Sequence, residues 1–175
     1  IYSPNSSSGV PVYLGNQFFT ISSLVSIILI FTIQPMQLNL PQYTFNYRDN
    51  RGQLEIFCLL RKKWLVLTPE EFVRQHVIRY LNETIGIGYH LMKSEVSIPL
   101  LGGLSRADIV VYNANGSVEG IVECKAPQVE IDDSVLQQAN KYHYALHAQW
   151  VVLTNGLKHV LFEGEQWKEG WPEKR

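Results

Sequence analysis

Arg106-Ala107-Asp108-Ile109-Val110-Val111-Tyr112 and Val118-Glu119-Gly120-Ile121-Val122-Glu123-Cys124-Lys125 are two runs rich in Val and Ile, and they bracket Asn113-Ala114-Asn115-Gly116-Ser117. Asn-Gly between apolar runs is the strongest short hairpin signal, because both residues accept the positive φ of a tight turn. With Asn115 and Gly116 as a two-residue loop, Ala114 pairs with Ser117 and Asp108 stands directly opposite Glu123. Their Cβ atoms would then lie about 4.5–5.5 Å apart. Strand alternation puts Glu123 and Lys125 on one face and turns Val122 and Cys124 to the other. Like charges in opposition destabilise a sheet. On a plain surface hairpin the acids and the lysine would pair in water for about 0–1 kcal/mol. The flanks Ile109-Val110-Val111 and Gly120-Ile121-Val122 argue instead for central strands, where a stray charge is costly.

A divalent cation would reconcile the two acids. Mg²⁺ takes oxygen ligands, commonly one or two carboxylates, and fills its shell with water or phosphate oxygens. Asp108 and Glu123 would supply the carboxylates and the main-chain carbonyl of Cys124 a third protein oxygen. Lys125 would orient or deprotonate an attacking water beside an ion acting as Lewis acid.

Outward from this hairpin, Tyr43–Tyr47 and Leu54–Phe57 flank a polar turn ending in Gly52 and read as a β-hairpin, with Leu65-Val66-Leu67 as a further strand. Thr68-Pro69-Glu70-Glu71 announces a helix to about Asn82, with Thr68 as N-cap, Pro69 at its first position and Glu71 third in a capping box. Met92 to Ile98 suggests a strand that Pro99 and Gly102-Gly103 break. Asp132-Asp133-Ser134 caps a second helix reaching about Ala148. Trp150–Thr154 and Lys158–Glu163 are strands around Asn155-Gly156, and the tail from Gly164 is expected to be polar and loosely packed. This order predicts an α+β or mixed α/β domain.

Composition sets the limits. The chain has 175 residues, 46% hydrophobic and 18% charged, enough for one packed domain. A formal charge of −1 excludes coating nucleic acid by bulk charge and leaves room for a local basic patch. Cys58 and Cys124 exclude a disulfide scaffold and a four-cysteine zinc site, and are compatible with a reducing cytoplasm. No Walker motif points to a motor. Every charged residue falls at or after Arg48. Within the uncharged start, Phe18 to Ile33 is apolar but spans only about 24 Å as a helix, short of a ~30 Å hydrocarbon core. Residues 1–35 are therefore read as an extension from an upstream start, with a membrane or signal segment through residues 18–33 and a structural arm as alternatives. The domain proper is read as 36–175.

The runs around Asp108 and Glu123-Cys124-Lys125-Ala126-Pro127 resemble the core of the PD-(D/E)xK nuclease superfamily. The closer resemblance is to the N-terminal nuclease domain of type I restriction enzyme R subunits, in its small stand-alone version. It covers about Leu38 to Phe162 and includes Leu38-Asn39-Leu40-Pro41, Arg61-Lys62-Lys63-Trp64, Leu67-Thr68-Pro69-Glu70-Glu71 and Thr154-Asn155-Gly156-Leu157. Ala107 departs from the Pro of the motif's name. The resemblance implies an α/β fold with a mixed central sheet flanked by helices and preceded by a β-hairpin. It implies Asp108 and Glu123 as ligands of Mg²⁺ or Mn²⁺, Lys125 as catalytic lysine, and cleavage of DNA. A separate helicase or restriction-system subunit and a homodimer fit the same reading. The alternative is a catalytically silent module of the same fold that binds nucleic acid or a partner.

Supporting residues follow from the resemblance. Gln138 and Tyr142, at i and i+4 on the second helix, match a Gln-x-x-x-Tyr pair that contacts the metal site or DNA in related nucleases. Glu71 corresponds to a first-helix acid that nears the metal in some relatives, against its simpler part in the capping box. Arg61, Lys62 and Lys63 form the densest basic run, suited to phosphate or to a solvated strand end. His143 and His147 have metal-pair spacing without a third ligand.

Overall fold

The computed structural model describes residues 10–14, 17–21, 37–100 and 103–174. Val10–Leu14 (β1) and Gln17–Ile21 (β2) form a two-stranded antiparallel sheet. The apolar stretch 18–33 thus begins in β2, and its part from 22 onward lies outside the described residues. Among the described residues, no helix is long and apolar enough to cross a membrane.

Tyr47–Asn50 (β3), Gln53–Cys58 (β4) and Lys63–Val66 (β5) make a three-stranded antiparallel sheet. The first turn is tighter than expected: Asn50 pairs with Gln53, and Arg51 and Gly52 both take positive φ, 53° and 88°. Tyr43 and Phe45 precede the strand and stack instead near His76.

Helix α1, Pro69–Tyr80, begins as its sequence predicts, with the Thr68 hydroxyl accepting the N–H of Glu71 at 3.0 Å. It ends through a π-helical turn, Leu81–Ile85, closed by Gly86 in the left-handed region. After a short 3₁₀ turn come Met92–Leu100 (β6), Gly103–Tyr112 (β7), Val118–Cys124 (β8), helix α2 at Asp133–Leu146, Trp150–Thr154 (β9), His159–Glu163 (β10) and Gln166–Glu169 (β11). The six strands form one sheet in the order β11-β10-β9-β8-β7-β6, antiparallel except for the β8–β9 pair. A mixed sheet with a crossover helix between its parallel strands is the expected α/β class.

Two expectations fail. Pro99 does not break β6: it pairs with Leu104 while the strand runs on to Leu100. β6 is an edge strand, the place where a missing N–H is tolerated. The tail is not loose either, since β11 pairs with β10 and Trp171 packs on Tyr80 and His159 with ring centres 4.8 and 4.9 Å apart. β11 returns from β10 through a tight turn at Gly164 and Glu165, a local hairpin hidden by its polar residues, while the Tyr80–Trp171 contact joins residues far apart in the sequence.

Each sheet face carries a helix. Val73, Val77 and Ile78 of α1 pack with Ile109, Val111, Val122, Cys124 and Val152. The alternate residues Val110, Ile121, Val151 and Phe162 pack with Leu146 of α2.

Candidate metal and hydrolytic site

The β7–β8 hairpin reaches the anticipated register by an unanticipated route. The turn is Asn113 to Gly116: Gly116 N–H donates to Asn113 O at 3.0 Å, and Asn113 N–H donates to Ser117 O at 3.0 Å. Gly116 has φ +84°, the conformation this longer loop requires. Tyr112 pairs with Val118, which alone would set Asp108 opposite Val122. A bulge follows: Val111 pairs with Gly120, leaving Glu119 as an extra residue in β8. From there Val110 pairs with Ile121 and Ile109 with Val122, so Asp108 and Glu123 come next in register. The unplanned loop length and the bulge cancel.

The acids are not a regular facing pair, however. The ladder stops at Ile109–Val122, and alternation fails at Asp108: Ala107 and Ile109, two residues apart, pack in different clusters. The neighbouring β6 residue in register with Asp108 is Glu95, whose φ of +58° is a strained conformation for a residue with a Cβ. Asp108 N–H points at Glu123 Oε1, 3.4 Å away. The Asp108 carboxylate accepts Cys124 N–H on Oδ2 at 2.7 Å and Arg74 Nη2 on Oδ1 at 2.6 Å.

Arg74, on α1, and Glu95, on β6, are residues of the cluster that sequence reasoning missed; Arg74 lies at its centre. The residue is 6% exposed, and its guanidinium is shared by Asp108, Glu71 (Nη1–Oε2, 2.5 Å), Glu70 (Nη2–Oε1, 2.9 Å) and Glu95 (Nη1–Oε1, 2.9 Å). Arg106 holds the other oxygen of Glu95 at 2.9 Å. Glu71 does not close its capping box. Its second oxygen takes Gln75 Nε2 at 2.7 Å, and the side chain joins the acid cluster through Arg74.

The electrostatics follow from burial. Glu123 is pushed up to about 8, by desolvation first and then by the Asp108 charge, with Lys125 opposing. Desolvation also raises Asp108, against Arg74 and the Cys124 N–H, and raises Glu71 against Arg74 and Gln75. Burial works against the charge on Arg74, yet Asp108 and Glu71 outweigh it and hold the group protonated. The Cys124 thiol is fully buried and raised by desolvation, hence inert.

Lys125 follows β8, and its N–H donates to Thr154 O at 2.8 Å. The Thr154–Leu157 turn supports it. Asn155 Nδ2 donates to Val129 O and Pro127 O, at 2.8 and 3.4 Å, while its Oδ1 accepts Leu157 N–H and Lys158 N–H at 3.0 and 2.8 Å. Asn39 docks on the same turn, donating its N–H to Gly156 O at 2.7 Å.

Gln138 and Tyr142 lie on α2, but their side chains are outside the described residues. Arg61 and Lys62 lie between β4 and β5, and Lys63 opens β5, so all three belong to the smaller sheet and not to the one carrying Asp108. His143 stacks on Phe162 with ring centres 4.9 Å apart. Among the described residues, no three His, Cys, Asp or Glu side chains are grouped to hold a metal by themselves. The donor set near Asp108 and Glu123 is two hard carboxylates in a buried site short of positive charge. That chemistry fits an Mg²⁺-type ion completing its shell with backbone, water and substrate oxygens.

No curated protein matches the chain. Among solved structures, a candidate nuclease of the DUF820 group from Anabaena variabilis is similar over 74% of this chain and 79% of its own, with 11% identity and a TM-score of 0.43. A DrdV–DNA complex is similar over 58% of this chain and 12% of its own, with 12% identity and a TM-score of 0.36. The family model described as type I restriction enzyme R protein N terminus (HSDR_N) matches residues 69–172, which run from the first turn of α1 to just past β11. With more than half of its length matched, the chain belongs to the family of type I restriction enzyme R protein N termini.

Proposed function

We propose that the protein is a metal-dependent nuclease that hydrolyses DNA phosphodiester bonds in a restriction, defence or DNA-processing setting. The observation that carries this reading is the adjacency of two buried carboxylates, Asp108 and Glu123, with Lys125 two residues beyond. Family membership supports the restriction setting. Asp108 and Glu123, with the Cys124 carbonyl, would hold Mg²⁺ or Mn²⁺. When bound, such an ion supplies Lewis acidity toward phosphoryl oxygens. Lys125 orients the attacking water and offsets phosphate charge. Glu71 sets the position of the cluster through Arg74. Gln138 and Tyr142 on α2 contact the metal site or DNA, and Arg61, Lys62 and Lys63 hold flanking phosphates.

Supercoiled-plasmid cleavage by the full chain with Mg²⁺, Mn²⁺ or EDTA tests this, with Lys125→Ala in parallel. Metal-dependent nicking that the folded variant loses is the expected result. Nicking unchanged by Lys125→Ala would sink the mechanism. The Arg74–Asp108 ion pair favours a second reading, in which the same fold binds DNA without turnover. DNA binding that survives Asp108→Ala, with no cleavage in any metal, would select it.

A further inference from the structure

We propose that Arg74 is an internal competitor of the divalent cation for Asp108, so that ion binding to the site and the Arg74–Asp108 pair oppose one another. This rests on the reading of Asp108 and Glu123 as cation ligands. Three observations carry it.

First, both oxygens of Asp108 are already taken, Oδ1 by Arg74 and Oδ2 by the Cys124 N–H. An ion on Asp108 would share a carboxylate with a guanidinium in a buried site. Like charges repel strongly there, because little solvent screens them.

Second, Arg74 is placed by the acids more than by its own needs. Its Nε is buried and finds no hydrogen-bond partner among the described residues, while its two terminal nitrogens serve four carboxylates. A buried unpartnered donor is costly. The site therefore holds the guanidinium through its two terminal nitrogens, by the fork's geometry as well as by its charge.

Third, the guanidinium has partners to keep when it lets go. Glu70, Glu71 and Glu95 hold it independently of Asp108, and Arg106 braces Glu95. Release of one oxygen therefore does not strand Arg74 as an unpaired buried charge, which would be prohibitive.

Calorimetric titration of Mn²⁺ and Mg²⁺ into the full chain at pH 8 tests the idea, using wild type, Arg74→Gln, Arg74→Lys and Asp108→Asn, with the fold checked by circular dichroism. Arg74→Gln is expected to melt at a lower temperature without ion, and to bind Mn²⁺ more tightly by roughly 5–150-fold, the usual span of such coupling. Arg74→Lys, which keeps the charge but not the fork, is expected to fall between. A folded Arg74→Gln that binds Mn²⁺ as wild type does, or more weakly, overturns the proposal and makes Arg74 a scaffold for Asp108. Should Arg74→Gln fold only when Mn²⁺ is added, the ion has replaced the guanidinium, as proposed. Should it not fold even then, an Arg74→Lys affinity no tighter than wild type overturns the proposal. A wild type that binds no more ion than Asp108→Asn fails differently, because it removes the cation site itself.

Discussion

The side-chain amide of Asn155 donates to the carbonyl of Val129 at 2.8 Å, joining the exit of β9 to the loop that follows Lys125. The same side chain accepts two backbone N–H groups of its own turn. Asn155→Ala removes these partly buried hydrogen bonds and is expected to destabilise the protein by about 1–2 kcal/mol, read from urea denaturation. It is also expected to lower plasmid nicking in chain that remains folded, since Lys125 loses the brace behind it. Full nicking by folded Asn155→Ala would separate the turn from the site.

Glu123 gives stability a descending limb. Its folded value of about 8 stands above the ordinary 4.5, with burial as the main cause and Asp108 second. Between those values the folded state keeps a proton that the unfolded state releases, so stability falls as pH rises through the window, by at most about 1.4 kcal/mol per pH unit. Glu123→Gln is expected to flatten the limb in denaturation series from pH 5 to 8. An unchanged slope would show that Glu123 is ionised in the fold.

His76 acts in the opposite sense. Burial holds it near 4, below the ordinary 6.5, while its Nδ1 meets Phe72 O at 2.8 Å and its ring lies 4.3 Å from that of Phe72. Here the unfolded state binds the extra proton, so stability is lost as pH falls from 6.5 toward 4. His76→Phe keeps an aromatic ring in the stack and removes the titration. Its stability relative to wild type is expected to rise steadily as pH drops through that range.

Gly120 pairs with Trp150 across the parallel β8–β9 ladder, and a Cβ at Gly120 would fall on the Trp150 indole ring. Gly120→Ala is expected to cost about 1–3 kcal/mol through overpacking, read as a lower melting temperature. Adding Trp150→Leu should recover part of the loss. If the double change lies lower than the sum of the single ones, the clash is not the cause.

Much of this was legible in the sequence. Thr68 and Pro69 announce α1 by local capping chemistry, and the apolar runs around Asn-Gly announce β7 and β8. Arg74 was not legible, because a lone Arg in an amphipathic helix reads as a solvated charge until tertiary packing brings Asp108 and Glu95 to it. Glu95 stayed hidden behind Pro99. Had that proline been read as an edge-strand residue, continuing the ladder from Leu100–Gly103 would have set Glu95 beside Asp108.

The bulge at Glu119 makes the hairpin a counting device. Because side chains alternate with period two, one residue added to or removed from the loop exchanges which β8 residue meets Asp108. A second single-residue irregularity restores the match. What must be preserved is the parity of insertions between Asp108 and Glu123, and not their separation along the chain. Relatives can therefore be expected to differ in hairpin length while keeping the same two acids together, provided each change in the turn is answered by a change in the strand.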